Sequence, residues 1–142
     1  MRSRALGRTG VKVSEVGFGA WGIGGPTPGP TSYGDTDDAQ SLAALAEALS
    51  QGITFFDTSN IYGDGHSERL IGQALQDAGD KAFVCTKAGC FDYNAPLDFS
   101  PEAIERSVAG SIERLKRPID LLLLHNPDPT LKGLDAALAT MA

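Results

Sequence analysis

Short apolar runs alternate along this chain with longer stretches in which apolar residues recur every three or four positions. Dense or alternating apolar runs mark strands, and the wider recurrence marks helices. Residues 4–7 and 11–14 flank Arg8-Thr9-Gly10 and predict a hairpin. Residues 16–21 predict a strand, and the Gly- and Pro-rich stretch 22–34 a long loop. Thr36 is the expected cap of a helix with Asp37 and Asp38 in its first turn, an apolar face of Ala39, Leu42, Ala43, Ala46 and Leu49, and a stop at Gly52. Residues 53–56 form a compact apolar run and predict the next strand. Ser67 is the expected cap of a second helix, carrying Leu70, Ile71, Ala74, Leu75 and Ala78 and stopped by Gly79. A strand over 82–86 follows. Ser100-Pro101-Glu102 then gives a cap, a proline at the first helical position and an acid. Ile104, Val108, Ile112 and Leu115 are the expected face of that third helix, with Pro118 just past its end. The run over 119–124 reads as a strand buried on both faces. Residues 134–142 read as a helix with no terminating Gly or Pro.

A hairpin followed by alternating strands and helices predicts βαβ units and a parallel sheet, so the fold class is α/β. The units differ in sequence and period, which excludes a solenoid. Composition adds exclusions. The chain has 142 residues, 42% of them hydrophobic, which argues against disorder. No run approaches the roughly 18 apolar residues of a membrane helix. A net charge of −6 argues against nucleic-acid and membrane-surface partners. Arg2, Arg4 and Arg8 give a basic start, but Glu15 and glycines interrupt any apolar core of a signal peptide, so the expected location is cytoplasmic. Cys85 and Cys90 are too few for a disulfide scaffold and are expected as reduced thiols. His66, Glu68 and Cys90 have no recognised metal-ligand spacing, so no metal is expected.

Gly17-Phe18-Gly19-Ala20-Trp21-Gly22 matches G-x-G-x-x-G. The dinucleotide fingerprint requires a helix directly after the motif, to receive the pyrophosphate. Gly24-Gly25-Pro26-Thr27-Pro28-Gly29-Pro30 cannot open one, so the match is rejected.

The candidate chemistry lies at the carboxyl ends of the expected strands, where parallel α/β folds bind ligands. Asp57 follows the strand over 53–56, and Tyr62 lies in the loop beyond it. Lys87 follows 82–86, His125 follows 119–124, and Trp21 ends the first strand. An acid, a phenol, an amine and an imidazole on one side of a sheet suit proton donation. A free phenol is a weak acid at neutral pH, and a nearby ammonium stabilises its phenolate. Lys87 fits that part for Tyr62, with Asp57 orienting Lys87 and His125 bonding a substrate oxygen. A tuned phenol suits a carbonyl that is taking up negative charge. The hydride for its reduction needs a nicotinamide cofactor.

Gly52-Ile53-Thr54-Phe55-Phe56-Asp57-Thr58-Ser59-Asn60-Ile61-Tyr62-Gly63 resembles the signature of the aldo-keto reductase family, and Ser67 to Leu75 continue it. Thr86-Lys87-Ala88-Gly89, Asp120 to Pro127 and Leu6 to Gly19 resemble further motifs of that family. The resemblance implies the N-terminal half of a (β/α)8 TIM barrel. The hairpin would occupy 1–15, and four βα units would occupy 16–142 and break off in the fourth helix. It implies NADPH- or NADH-dependent interconversion of carbonyls and alcohols, with Tyr62 as acid/base, Lys87 and Asp57 as its tuning pair, and His125 orienting a small carbonyl or sugar-like substrate. Gly19, Ala20, Trp21 and Asp57 are the implied cofactor neighbours. Such a barrel takes about 250 residues, and the resemblance assigns most of the cofactor grip to its other half. A half barrel has two unpaired edges and an apolar inner face, so self-association or pairing with a complementary half is expected. The alternative reading is a non-catalytic half barrel that serves as an assembly or binding module.

Overall fold

A computed structural model describes residues 1–27, 32–128, 130 and 133–142. The hairpin is present as β1 (Ser3–Ala5) and β2 (Lys12–Ser14), paired antiparallel. Arg2 and Arg4 lie on it, exposed, and both reach Glu15. The hairpin is fastened by a reciprocal pair of bonds. Ser14 N–H donates to Thr54 Oγ1 at 2.8 Å, and Thr54 N–H donates to Ser14 Oγ at 2.9 Å. Thr54 precedes a barrel strand, so the hairpin sits at the amino end of the sheet.

The main sheet contains β3 (Phe18–Gly19), β4 (Phe55–Asp57), β5 (Phe83–Ala88) and β6 (Leu121–Leu124), all parallel and in chain order. Helices α1 (Asp38–Ser50), α2 (His66–Ala74) and α3 (Pro101–Leu115) make the connections, and α4 (Leu134–Met141) follows β6. Consecutive parallel strands joined through helices are four units of a βα barrel.

Strand alternation sorts the sheet into two faces. Phe56 and Val84 point to the helices and pack with Leu45, Leu70, Ile71 and Leu115. Leu122 and Leu124 do the same against Ile104 and Ala137. The opposite face carries Asp57, Cys85 and Lys87, with Phe55 stacked on Phe83 at 5.6 Å. No helix covers this open face among the described residues. Leu123 on β6 is consequently 39% exposed. The expectation that residues 119–124 are buried on both faces is therefore corrected: β6 is an edge strand of a sheet covered on one side.

Several local expectations shift by a few residues. Asp37, rather than Thr36, caps α1, accepting from Gln40 N–H at 2.8 Å, while Thr36 Oγ1 is turned toward the Ile23 carbonyl. The buried face of α1 is Ser41, Leu45 and Ala48; Ala39, Ala43 and Ala46 are exposed. Leu42 and Leu49 of the expected face are half-buried and pack at the margin of the same core, so the helix is turned only slightly, toward Leu45. Gly65, in the left-handed conformation, precedes α2, and Ser67 lies buried inside its first turn instead of capping it. Its hydroxyl donates to the Ala20 carbonyl at 2.9 Å. Helix α2 ends at Ala74, before Gly79. Ser100 and Pro101 start α3 as expected. Its buried face runs through Ala103, Ile104, Ser107, Ser111 and Leu115, leaving Ile112 45% exposed. Small serines let this helix lie close to the sheet, where the Ser107 hydroxyl meets Gly89 N–H.

Trp21–Ile23 form a 3₁₀ turn after β3, not part of a strand, and no α-helix opens there, in keeping with the rejected fingerprint. Within the loop expected over 22–34, residues 28–31 lie outside the described residues.

Candidate active site

The site gathers where the strands end. Asp57 is the last residue of β4, and Lys87 lies inside β5, one residue before its end, rather than after it. Pairing sets Asp57 opposite Cys85, so Lys87, two residues on, shares the open face with both. Lys87 Nζ donates to Asp57 Oδ1 at 2.7 Å and to the Thr58 carbonyl at 2.8 Å. The same ammonium lies 5.0 Å from the centre of the Tyr62 ring. Cys85 is buried beside this pair. Burial first, and then the Asp57 carboxylate, push its thiol up to about 12, so it stays protonated.

Tyr62 sits in the turn between β4 and α2. Tyr62 N–H donates to the Ser59 carbonyl, and the Tyr62 carbonyl accepts from Ser67 N–H, both at 3.2 Å. Gly24 presses on this turn: a Cβ there would meet the Tyr62 carbonyl carbon at 2.9 Å. Gly63, with φ +60, would collide with the Gly24 carbonyl if it carried a side chain. Two glycines thus let the loop after β3 lie against the phenol-bearing turn.

His125 follows β6 and is held to the sheet by its N–H, which donates to the Ala88 carbonyl at 2.9 Å. The imidazole is 3% exposed and meets the edge of Tyr62 with ring centres 5.9 Å apart. Burial, aided by the Lys87 ammonium, pushes His125 down to about 4, so the ring is neutral near pH 7. Asp57, Tyr62, Lys87 and His125 therefore occupy one cluster, although they come from three separate strand ends.

Of the remaining expected residues, Gly19 pairs with Asp57 across the β3–β4 ladder, and a Cβ on it would meet open space. Ala20 is fully buried, donating its N–H to the Asp57 carbonyl at 2.8 Å. Trp21 lies 6.2 Å from Tyr62 and 4.7 Å from Tyr33, ring centre to ring centre. Its indole N–H is buried without a partner among the described residues. His66 is away from the cluster, bonded to Asp38 at 2.7 Å.

Four contributors escape a strand-end reading. The Thr58 carbonyl holds Lys87. Ser59 Oγ lies 2.9 Å from His125 Nδ1. Asn60 Nδ2 donates to the Cys90 carbonyl at 2.7 Å, tying the loops after β4 and β5 together. Tyr93 OH stands 3.5 Å from His125 Nε2, with burial pushing its phenol up to about 12. Directly behind the site, Glu68 is fully buried, accepting from Thr86 Oγ1 at 2.6 Å and Arg114 Nε at 2.7 Å.

Fold and site together define a segment of a parallel βα barrel with a cluster of titratable side chains at the carboxyl ends of its strands. The profile of the aldo/keto reductase family matches residues 15–142, and the chain belongs to that family. It is 36% identical to the aldo-keto reductase YhdN of Bacillus subtilis over 134 residues, covering 91% of this chain and 39% of that protein. It is 40% identical to L-galactose dehydrogenase of Arabidopsis thaliana over 127 residues, covering 87% and 37%. Among solved structures, the holo form of an aldo-keto reductase from Bacillus halodurans superposes with a TM-score of 0.83 at 28% identity, covering 99% of this chain and 45% of that one. The chain thus spans about two fifths of the length of these curated relatives.

Proposed function

We propose that this chain carries the proton-transfer half of an NAD(P)H-dependent oxidoreductase that interconverts aldehydes or ketones with alcohols. The observation that carries the reading is the single cluster of Tyr62, Lys87, Asp57 and His125 on the open face of the sheet.

Tyr62 gives its proton to the carbonyl oxygen as negative charge develops there. The Lys87 ammonium stabilises the negative charge then left on the phenol oxygen. Asp57 and the Thr58 carbonyl hold that ammonium in place and satisfy two of its three protons. The neutral His125 aligns the substrate against Tyr62. In the alcohol-oxidising direction the same groups take the proton back.

A nicotinamide cofactor, when bound, supplies or accepts the hydride. The residues present fit one side of such a group. Gly19 leaves space beside Asp57, and the unpartnered Trp21 indole offers a donor. Ala20 contributes by pinning the end of β3 to β4. The family relationship supports a nicotinamide without choosing between NADH and NADPH. The L-galactose dehydrogenase among the relatives supports a sugar-like substrate. No described helix is long and apolar enough to cross a membrane.

The uncovered face of the sheet favours a second reading, in which these 142 residues act as an assembly module that pairs with a complementary half barrel. The two readings separate on the full-length protein. NAD(P)H oxidation with a small aldehyde, abolished in Tyr62→Phe while cofactor binding persists, supports the enzyme. Turnover that survives Tyr62→Phe removes Tyr62 from the acid role.

A further inference from the structure

A second hollow lies between α2 and α3, on the helix side of the sheet, and none of the four clustered residues lines it. Its volume is about 730 Å³, within the range of small-molecule sites. Four cations line it: Arg69 from α2, Arg114 from α3, and Lys116 and Arg117 from the turn that follows. Asp120 is the one lining carboxylate among the described residues. The chain carries a net charge of −6, so this concentration of positive charge runs against its composition.

The walls are held in place. The Leu115 carbonyl lies so close to α2 that a Cβ on Gly72 would meet it at 2.5 Å. Arg117 Nη2 donates to the Ala82 carbonyl at 2.7 Å and to the Gly79 carbonyl at 3.3 Å. Asp120 is turned to the sheet, where it accepts from Val84 N–H at 2.8 Å. Arg114 donates its Nε–H to the buried Glu68. A guanidinium has five N–H donors, so both arginines keep some for a ligand. Arg69 and Lys116 are exposed and have no carboxylate partner among the described residues.

Lys116 points most directly to a ligand. It has φ +56, the left-handed region in which glycine is the usual residue after a helix. A lysine there strains the backbone, and what it adds over glycine is an ammonium at the hollow. That ammonium also offsets the charge at the end of α3, and ligand affinity separates the two roles.

We propose that the hollow between α2 and α3 binds an organic polyphosphate, its phosphates taken by Lys116, Arg69 and the free N–H groups of Arg114 and Arg117. Guanidinium forks match phosphate oxygens, and the ammonium acts as a point charge. Four cations around one hollow suit more than one phosphate group. Gln73 and Gln76, exposed on the α2 wall, present amides that both donate and accept, which suits the uncharged part of such a ligand. The site is independent of the carbonyl-reduction reading, because its walls share no residue with the Tyr62 cluster.

The probe is ADP, with AMP and adenosine as comparisons, followed by backbone ¹⁵N–¹H spectra of the full-length protein. Saturable shifts are expected at the amides of Gln73, Gln76, Lys116 and Arg117. AMP should bind about tenfold more weakly, through the loss of a charged phosphate contact, and adenosine should leave these signals unmoved. ADP held beside Gly19 and Asp57 would move a different set of signals and is told apart by position.

Lys116→Gly removes the ammonium and relieves the left-handed backbone, so the fold is kept. It should weaken ADP by about tenfold, and Arg69→Gln should act in the same direction. Absence of saturable shifts around the hollow at millimolar ADP overturns the proposal. So does an affinity for ADP no greater than that for AMP or adenosine. An ADP affinity unchanged in Lys116→Gly also overturns it and leaves the lysine only its place at the end of the helix.

Discussion

Lys87 and Asp57 meet at 2.7 Å although thirty residues separate them, because adjacent parallel strands deliver both side chains to the same face. The ammonium has no freedom to follow another carboxylate, since the Thr58 carbonyl holds it from the end of the same strand. Such an anchored charge beside a phenol is a fixed electrostatic element of the kind that lowers a barrier without reorganising. In the full-length protein, Lys87→Met and Tyr62→Phe should each lower kcat for aldehyde reduction by about 10²–10⁴-fold. Cofactor affinity, followed by quenching of NADPH fluorescence, should change little in Tyr62→Phe. Equal kcat in Lys87→Met and native protein would remove the ammonium from the mechanism.

His125 gives the protein a pH dependence with a definite sign. Its folded value of about 4 lies below the ordinary imidazole value of 6.5. Between those two values the unfolded chain binds a proton that the folded chain does not. Stability should therefore fall as pH drops through that window and level off, for this group, below about 4. The full effect is on the order of 3 kcal/mol. Urea unfolding between pH 7.5 and 4.5 should show a steeper loss for the native protein than for His125→Gln. Identical slopes would place the ring in a solvated environment.

Behind the site, Arg114 compensates a carboxylate that has no access to water. Removing the guanidinium by Arg114→Met leaves Glu68 charged and without its cationic partner, at a cost of about 3–5 kcal/mol. Thr86→Val removes one donor to the same carboxylate and should cost about 1–3 kcal/mol. Replacing both ends of the ion pair, as in Glu68→Met with Arg114→Met, should recover much of the first loss. Chemical denaturation of the three variants measures this. A double variant less stable than Arg114→Met would reverse the argument.

The edge position of β6 and the uncovered Phe55–Phe83 pair bear on the 142-residue chain expressed by itself. Exposed strand edges and apolar surface promote association. Sedimentation velocity should show species larger than a monomer that grow with concentration, and Leu123→Lys should reduce them. A single monomeric boundary at every concentration would mean that the open face is tolerated by water.

The order of elements was legible because each helix carries a run of apolar positions and each barrel strand is a dense apolar patch. The strand-end chemistry was legible because Asp57, Lys87 and His125 follow or finish those patches. Boundaries were less so. Thr36 and Asp37 are both good caps, and only the approach of Gln40 N–H decides between them. Ser67 has the composition of a cap, yet it is buried by the neighbouring strand end at Ala20. Ser59, Asn60 and Tyr93 left no periodic trace, because loop residues acquire their partners only when separate loops are brought together. Glu68 entered the sequence reading only through the rejected metal spacing. Its burial depends on Thr86 and Arg114, eighteen and forty-six residues away.

The ladder that sets Asp57 opposite Cys85 has a further consequence. A slip of one residue between β4 and β5 would send Lys87 to the helix side and bring Thr86 to the open face, since neighbouring side chains alternate. An ammonium would then be pressed into the apolar layer that Phe56 shares with Leu70 and Ile71. Lys87 is thereby a proofreading device for the assembly of the sheet: the misaligned pairing is penalised by the same charge that the aligned pairing employs. In a protein built this way, the contact between Lys87 and Asp57 doubles as a report that the strands have found their proper alignment.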